Sequence, residues 1–208
     1  MDLQFHGANC LTITTKQARI TIDDNLKELG ALSVTKPGDM VIFTHEHNSP
    51  EPSVKLLING PGEYEVGAVS VQGIGARAHV DEEGKQTATL YKLLIDDIRI
   101  VITGHIYPEL SDQQLETIGI VDVLCIPVGG NGYTLDGIGA LKLIKKIEPK
   151  VVIPTHYGDS KLKYPVPQQP LKDALQSLGM EPKETVAKFR IKPVDLTDTT
   201  QLIILERS

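Results

Sequence analysis

The first hundred residues alternate short apolar runs with polar turns. LQFHG, CLTITT and ARITID are rich in Ile, Leu and Thr, are separated by Gly-Ala-Asn and Lys-Gln, and predict three strands. MVIFT (40–44) is a continuous apolar run of strand length, as expected of a strand covered on both faces. GAVSVQGI (67–74), TATLYKLLI (87–95) and IRIVIT (98–103) predict three more, with turns at Glu82-Glu83-Gly84-Lys85 and Asp96-Asp97. Past residue 110 the rhythm changes to alternating helix and strand. Ser111, with Gln114 three residues on, forms a capping box that opens a short helix through about Thr117. VDVLCIPV (121–128) is the next buried strand. Thr134 is the expected cap of a helix whose stripe is Ile138, Leu141, Ile144 and Ile147, ended by Pro149. KVVIPT (150–155) is a strand, a helix over roughly Gln169 to Leu178 closes at Gly179, and VAKFRI and QLIILE are expected as the last strands. No linker divides residues 1–208, so they read as a single domain, and the Pro-rich YPVPQQP (164–170) reads as a surface loop.

Composition narrows the picture. Trp is absent and Phe occurs three times, so the core must be built mainly from Ile, Leu and Val. A net charge of −6 without a basic cluster argues against nucleic acid as a partner, because such binding rests on Lys and Arg neutralising phosphates. Lys142, Lys145, Lys146 and Lys150 read instead as a solvated helix face. No run approaches the roughly 18 apolar residues that span a bilayer, and MDLQFHGANC lacks the features of a secretory signal. A cytoplasmic location, with no membrane partner, is therefore expected. Cys10 and Cys125 each sit inside an apolar run and read as buried, reduced thiols.

The chemistry lies in the placement of the histidines. MVIFT leads into His45-Glu46-His47, GAVSVQGIGARA into His79, IRIVITG into His105 and KVVIPT into His156. Each histidine thus follows an apolar strand, where the loops of a layered fold converge. In an extended segment residues i and i+2 point the same way, so His45 and His47 can close on one ion, and neutral imidazole binds zinc at about 2.0–2.1 Å. Imidazole also suits copper, iron and nickel. His6 lacks such a partner pattern and reads as a structural hydrogen-bonding residue.

Taken together, FHGANCLTIT, ARITID, THEH, PGEYEVGAVSV, IPVGGNGYTL and VIPTHY resemble the metallo-β-lactamase superfamily, in particular its compact branch of zinc-dependent hydrolases and lactonase-like enzymes. The resemblance implies an α/β fold of the αββα-sandwich type, with two sheets face to face, helices outside and a metal site at one rim. The family motif H-x-H-x-D-H falls on His45, Glu46, His47, Asn48, Ser49 and Pro50, so Ser49 and Pro50 replace two ligands of a second metal. His79 matches the third histidine of the first site and His156 the last histidine of the second. The bridging aspartate, normally in a Gly-Asp turn, has become His105. Asp23 matches an aspartate that supports the metal loop, as a partner of a ligand histidine or as a turn residue. Gly129, Gly130 and Gly132 either cradle an anion or make a turn of unusual φ.

The metal candidates are therefore His45, His47, His79, His105 and His156, with one zinc, or another transition metal, expected per chain. Two function classes follow. Three histidines and an open position describe a metal-dependent hydrolase of esters, lactones or phosphoesters, acting on a small-molecule substrate. Alternatively, His105 closes the coordination shell and the protein is a non-catalytic member of the fold whose metal site is structural or lost. No catalytic residue or oligomeric state is assigned by the sequence.

Overall fold

The computed structural model describes residues 1–46 and 53–208. Two sheets pack face to face. The first holds β1 (Asp2–Gly7), β2 (Cys10–Thr14), β3 (Arg19–Ile22), β4 (Met40–Ile42) and β5 (Leu56–Ile58) in sequential order. The second begins with an antiparallel meander of β6 (Gly62–Val66), β7 (Val69–Ala76), β8 (Ala88–Ile95) and β9 (Ile98–Ile102). It continues through β10 (Val123–Pro127) and β11 (Val151–Thr155), which run parallel to β9. Helix α1 (Asp112–Ile118) connects β9 to β10 and α2 (Gly137–Ile147) connects β10 to β11, the crossovers that parallel neighbours require. After α3 (Leu171–Leu178) the chain adds β12 (Pro182–Val186) to the far edge of the second sheet. It then returns to pair β13 (Phe189–Arg190) with β1 and inserts β14 (Gln201–Leu205) between β11 and β12.

The two faces of the second sheet explain why its central strands read as unbroken apolar runs. Ile100, Ile102, Val123, Cys125, Val151 and Ile153 point into the core between the sheets. Their alternates Val101, Leu124, Ile126 and Val152 point the other way, onto the helices. All three α-helices among the described residues lie on that side. The outer face of the first sheet is covered instead by the turn-rich segment after β3, where Leu26 and Leu29 pack with Ala8, Cys10 and Leu162. No helix among the described residues is long and apolar enough to cross a membrane.

Several local expectations are met. Ser111 accepts the Gln114 N–H while Gln114 accepts the Ser111 N–H, completing the box on α1. Gly179 closes α3 in the left-handed region, and both cysteines are buried and free. Other boundaries differ. The cap of α2 is Asp136, whose carboxylate accepts the Gly139 N–H, because the turn starting at Gly130 still holds Thr134. That two-residue shift moves the buried stripe to Ala140, Leu143, Ile144 and Ile147 and leaves Ile138 58% exposed. Accordingly, Leu143→Ala is expected to cost about 2–5 kcal/mol in urea unfolding and Ile138→Ala less than about 0.5. Equal costs would contradict this register. VAKFRI is not one strand: its first residue ends β12 and its Phe-Arg forms β13, in different sheets.

Candidate metal centre

The histidines are set by backbone geometry before any side-chain contact. Asp23 adopts a left-handed φ of 47° just after β3 and turns its carboxylate onto Thr44, accepting the Thr44 N–H and hydroxyl, each at 2.7 Å. This grip fixes the segment after β4, and His45 bridges to Ala88 at the start of β8. The His45 Nδ1 stands 3.8 Å from Asp23 Oδ1. Asp23 is thus a turn residue whose carboxylate holds the segment leading to His45.

Beyond β7 and β9 the chain keeps pairing. Ala78 bridges Ile106, and the His79 N–H donates to the His105 carbonyl at 2.7 Å, so these two histidines leave adjacent backbones. Gly104 sits at φ 60°, where a Cβ would lie 2.3 Å from Thr44 Oγ1. Only glycine lets the turn before His105 approach Thr44 this closely. His156 has a φ of 53°, and its N–H donates to the Ala8 carbonyl at 2.7 Å, reaching across to the first sheet. Gly129 admits the His156 carbonyl, which a Cβ would meet at 2.1 Å, while Gly130 and Gly132 carry positive φ. The glycine segment thus serves close approach and turning.

The structure brings His105 and His156 together, with ring centroids 4.5 Å apart and edge to face. Tyr133 lies 5.0 Å from His105 and 5.9 Å from His156, and Tyr164 lies 5.4 Å from His156. Gln168 anchors the cluster. Its Nε2 donates to the Val166 carbonyl, which leaves Oε1 to accept at 3.1 Å from His156 Nδ1. His156 Nδ1 therefore carries the proton, and Nε2 is left with a free lone pair. Such a hydrogen bond behind an imidazole is the arrangement that orients a metal ligand. Two other ring nitrogens, His79 Nδ1 and His105 Nε2, are buried without a hydrogen-bond partner among the described residues.

Burial holds all three imidazoles neutral. It lowers His79, takes His156 down to about 4 against the opposing Gln168 bond, and takes His105 well below the usual range, with His156, His45 and His79 adding to the effect. Neutral imidazole with a bare nitrogen is the metal-binding form, so the donor set fits a transition metal. Among the described residues no three His, Cys, Asp or Glu side chains already converge on one point. His47, Ser49 and Pro50, which the sequence reading also invoked, lie outside the described residues. His6 is structural, as expected, joining Thr12 at 2.9 Å and Ser208 at 2.7 Å.

Sequence reasoning missed Thr44, Tyr133, Tyr164 and Gln168. The only signal for Gln168 was its place in YPVPQQP, a segment that returns over His156. A cavity of about 270 Å³ opens beside His156 and is lined also by Asn25, Glu28, Tyr133, Lys163 and Tyr164. A larger cleft of about 560 Å³, lined by Met1, Thr15, Asp96 and Arg190 among others, includes none of the histidines.

The β-lactamase superfamily domain family model matches residues 2–156. A UPF0173 protein of Pyrococcus abyssi is 26% identical over 188 residues, covering 76% of this chain and 84% of the relative. A UPF0173 metal-dependent hydrolase of Archaeoglobus fulgidus is 25% identical over 171 residues, covering 73% of each. Among solved structures, a Thermotoga maritima protein described as a candidate Zn-dependent hydrolase of the metallo-β-lactamase superfamily superposes with a TM-score of 0.75 at 20% identity. It covers 99% of this chain and 98% of that one, a likeness of fold. With the family model matching three-quarters of its length and the fold in accord, the chain belongs to the metallo-β-lactamase superfamily.

Proposed function

We propose that the protein is a metal-dependent hydrolase with one histidine-ligated ion, acting on a small ester, lactone or phosphoester. The observation that carries this reading is the set of buried neutral imidazoles: His79 Nδ1 and His105 Nε2 have no hydrogen-bond partner among the described residues, and His156 is bonded to Gln168 through Nδ1, which leaves Nε2 for an ion. These residues, with His45 and His47, are the ones that would hold the ion, and zinc suits them. A bound ion would supply Lewis acidity and acidify a water molecule. The chain's own residues do the rest. Asp23 holds the His45 loop through Thr44, Gln168 fixes the His156 tautomer, and the Tyr133 and Tyr164 rings pack against the His105 and His156 rings. Burial raises both phenols, Tyr164 to about 12, so each remains a hydrogen-bond donor at neutral pH. The same reading takes residues 1–208 as one domain, supported by an inter-sheet core that runs from Leu3 to Leu205.

Elemental analysis of dialysed protein is expected to return about one equivalent of transition metal per chain. His79→Ala and His105→Ala should each weaken retention by roughly 10- to 100-fold or more. Two equivalents, none, or retention untouched in both variants would overturn the reading. Hydrolysis of p-nitrophenyl esters should be lost with chelator and return with zinc. A competing reading, a closed structural site, is favoured by His105 standing where the family has a carboxylate. Full metal content without turnover across ester, lactone and phosphodiester panels would select it.

A further inference from the structure

The cavity beside His156 has a chemistry of its own that the metal ligands do not explain. Glu28 and Lys163 both line it, and among the described residues no ion pair joins them. They are held on neighbouring segments, because the Lys163 N–H donates to the Leu29 carbonyl at 2.9 Å, and the Lys163 stem passes over Gly30. Opposite charges facing one cavity without neutralising each other leave each free to pair with a ligand group. Two aromatic rings, Tyr133 and Tyr164, also line the cavity. The Tyr164 hydroxyl is committed to the Tyr157 carbonyl at 3.1 Å, which fixes that ring. The Tyr133 hydroxyl has no hydrogen-bond partner among the described residues. Rings of this kind favour a cation held near them, and a carboxylate beside them adds to the attraction. At about 270 Å³ the space falls just below the roughly 300 Å³ at which drug-sized pockets begin, so its occupant is small.

We propose that this cavity binds a dipeptide-sized zwitterion, its ammonium group held by Glu28 with the Tyr133 and Tyr164 rings and its carboxylate held by Lys163. As the substrate class of the enzyme, a zwitterion of this size carrying the ester, lactone or phosphoester bond, the inference rests on the metal-dependent hydrolase reading. As a binding site it does not, because neither charged side chain is a metal candidate.

The test is calorimetric titration of the full chain, metal-loaded and chelator-treated, with three probes: alanylalanine, N-acetyl-alanylalanine and alanylalanine amide. Alanylalanine is expected to bind saturably to both forms, and each blocked probe at least about tenfold more weakly, the scale of a lost charged hydrogen bond. Glu28→Gln should erase the preference over the acetylated probe alone, and Lys163→Met the preference over the amide alone. Both side chains are exposed, so neither change tests folding. Equal binding of all three probes, no binding of alanylalanine, or preferences that survive the substitutions would overturn the inference. Charge-selective binding by a protein that holds no metal would keep this inference and sink the hydrolase reading. Metal-dependent hydrolysis without charge selectivity would do the reverse.

Discussion

Gly104→Ala is expected to destabilise the protein by about 3–5 kcal/mol, combining overpacking with the cost of a left-handed alanine. The added Cβ would lie 2.3 Å from Thr44 Oγ1 and 2.4 Å from Thr44 Cβ. Thr44 cannot yield cheaply, because it is buried and Asp23 holds both its N–H and its hydroxyl. Whatever relaxation occurs must displace the segment leading to His45 or the one leading to His105, so metal retention should fall along with stability. Combining Gly104→Ala with Thr44→Gly removes the steric part and should recover stability beyond the sum of the two single effects. Urea unfolding of the four proteins measures this coupling. A Gly104→Ala protein with unchanged midpoint and metal content would show that the close approach is not required.

The second large effect is expected at the opposite end of the sheet. Asp122 is 1% exposed and accepts the Arg99 N–H at 2.9 Å, its Nε at 2.7 Å and its Nη2 at 2.9 Å, with Lys150 Nζ at 3.5 Å. These contacts tie together the beginnings of β9, β10 and β11. Asp122→Ala should cost roughly 3 kcal/mol at neutral pH, the lower end for breaking a buried pair, because Arg99 and Lys150 are about one-third exposed and can turn to water. The Asp122 carboxyl lies below its ordinary value through the Arg99 hydrogen bonds and charge, which outweigh burial. A depressed carboxylate contributes stability above its unfolded pKa of about 3.9 and loses it as pH falls through the folded value. The gap between wild type and variant should therefore narrow below about pH 4. A gap constant from pH 7 to pH 3 would mean that the charge is not what Asp122 contributes.

Legibility in the sequence followed the range of the interactions involved. Ser111 and Gln114 are three residues apart and complete each other, so the start of α1 could be read directly. The strands β9, β10 and β11 could also be read, because burial on both faces demands an unbroken apolar run. The start of α2 could not, since Thr134 and Asp136 are both good caps and the choice is made by the turn from Gly130. The strand β6, with its alternating GEYEV, escaped because it is a half-exposed edge. At the site, the strand-end histidines stand out because a rigid sheet must deliver ligands at its rim. The partners of those histidines do not: Thr44 is 21 residues from Asp23, and Gln168 lies in a loop whose proline content suggests only a surface. Local pattern finds what a strand carries and misses what another segment lays over it.

The bond from the His156 N–H to the Ala8 carbonyl, and the pairing of β1 with β13, have a consequence for how the protein is made. As the chain leaves the ribosome, β1, β2 and β3 can pair with one another early, yet the free edge of β1 has to wait for Phe189 and Arg190. The nascent protein therefore carries an unsealed sheet border through most of its synthesis, the kind of border along which strands of different molecules join. His156 likewise cannot take its strained turn until the first loop is in place to receive its N–H. The candidate metal centre is thus among the last parts to form, and a ribosome-stalled chain ending before residue 156 would present His45, His79 and His105 on a scaffold that still lacks its closing wall.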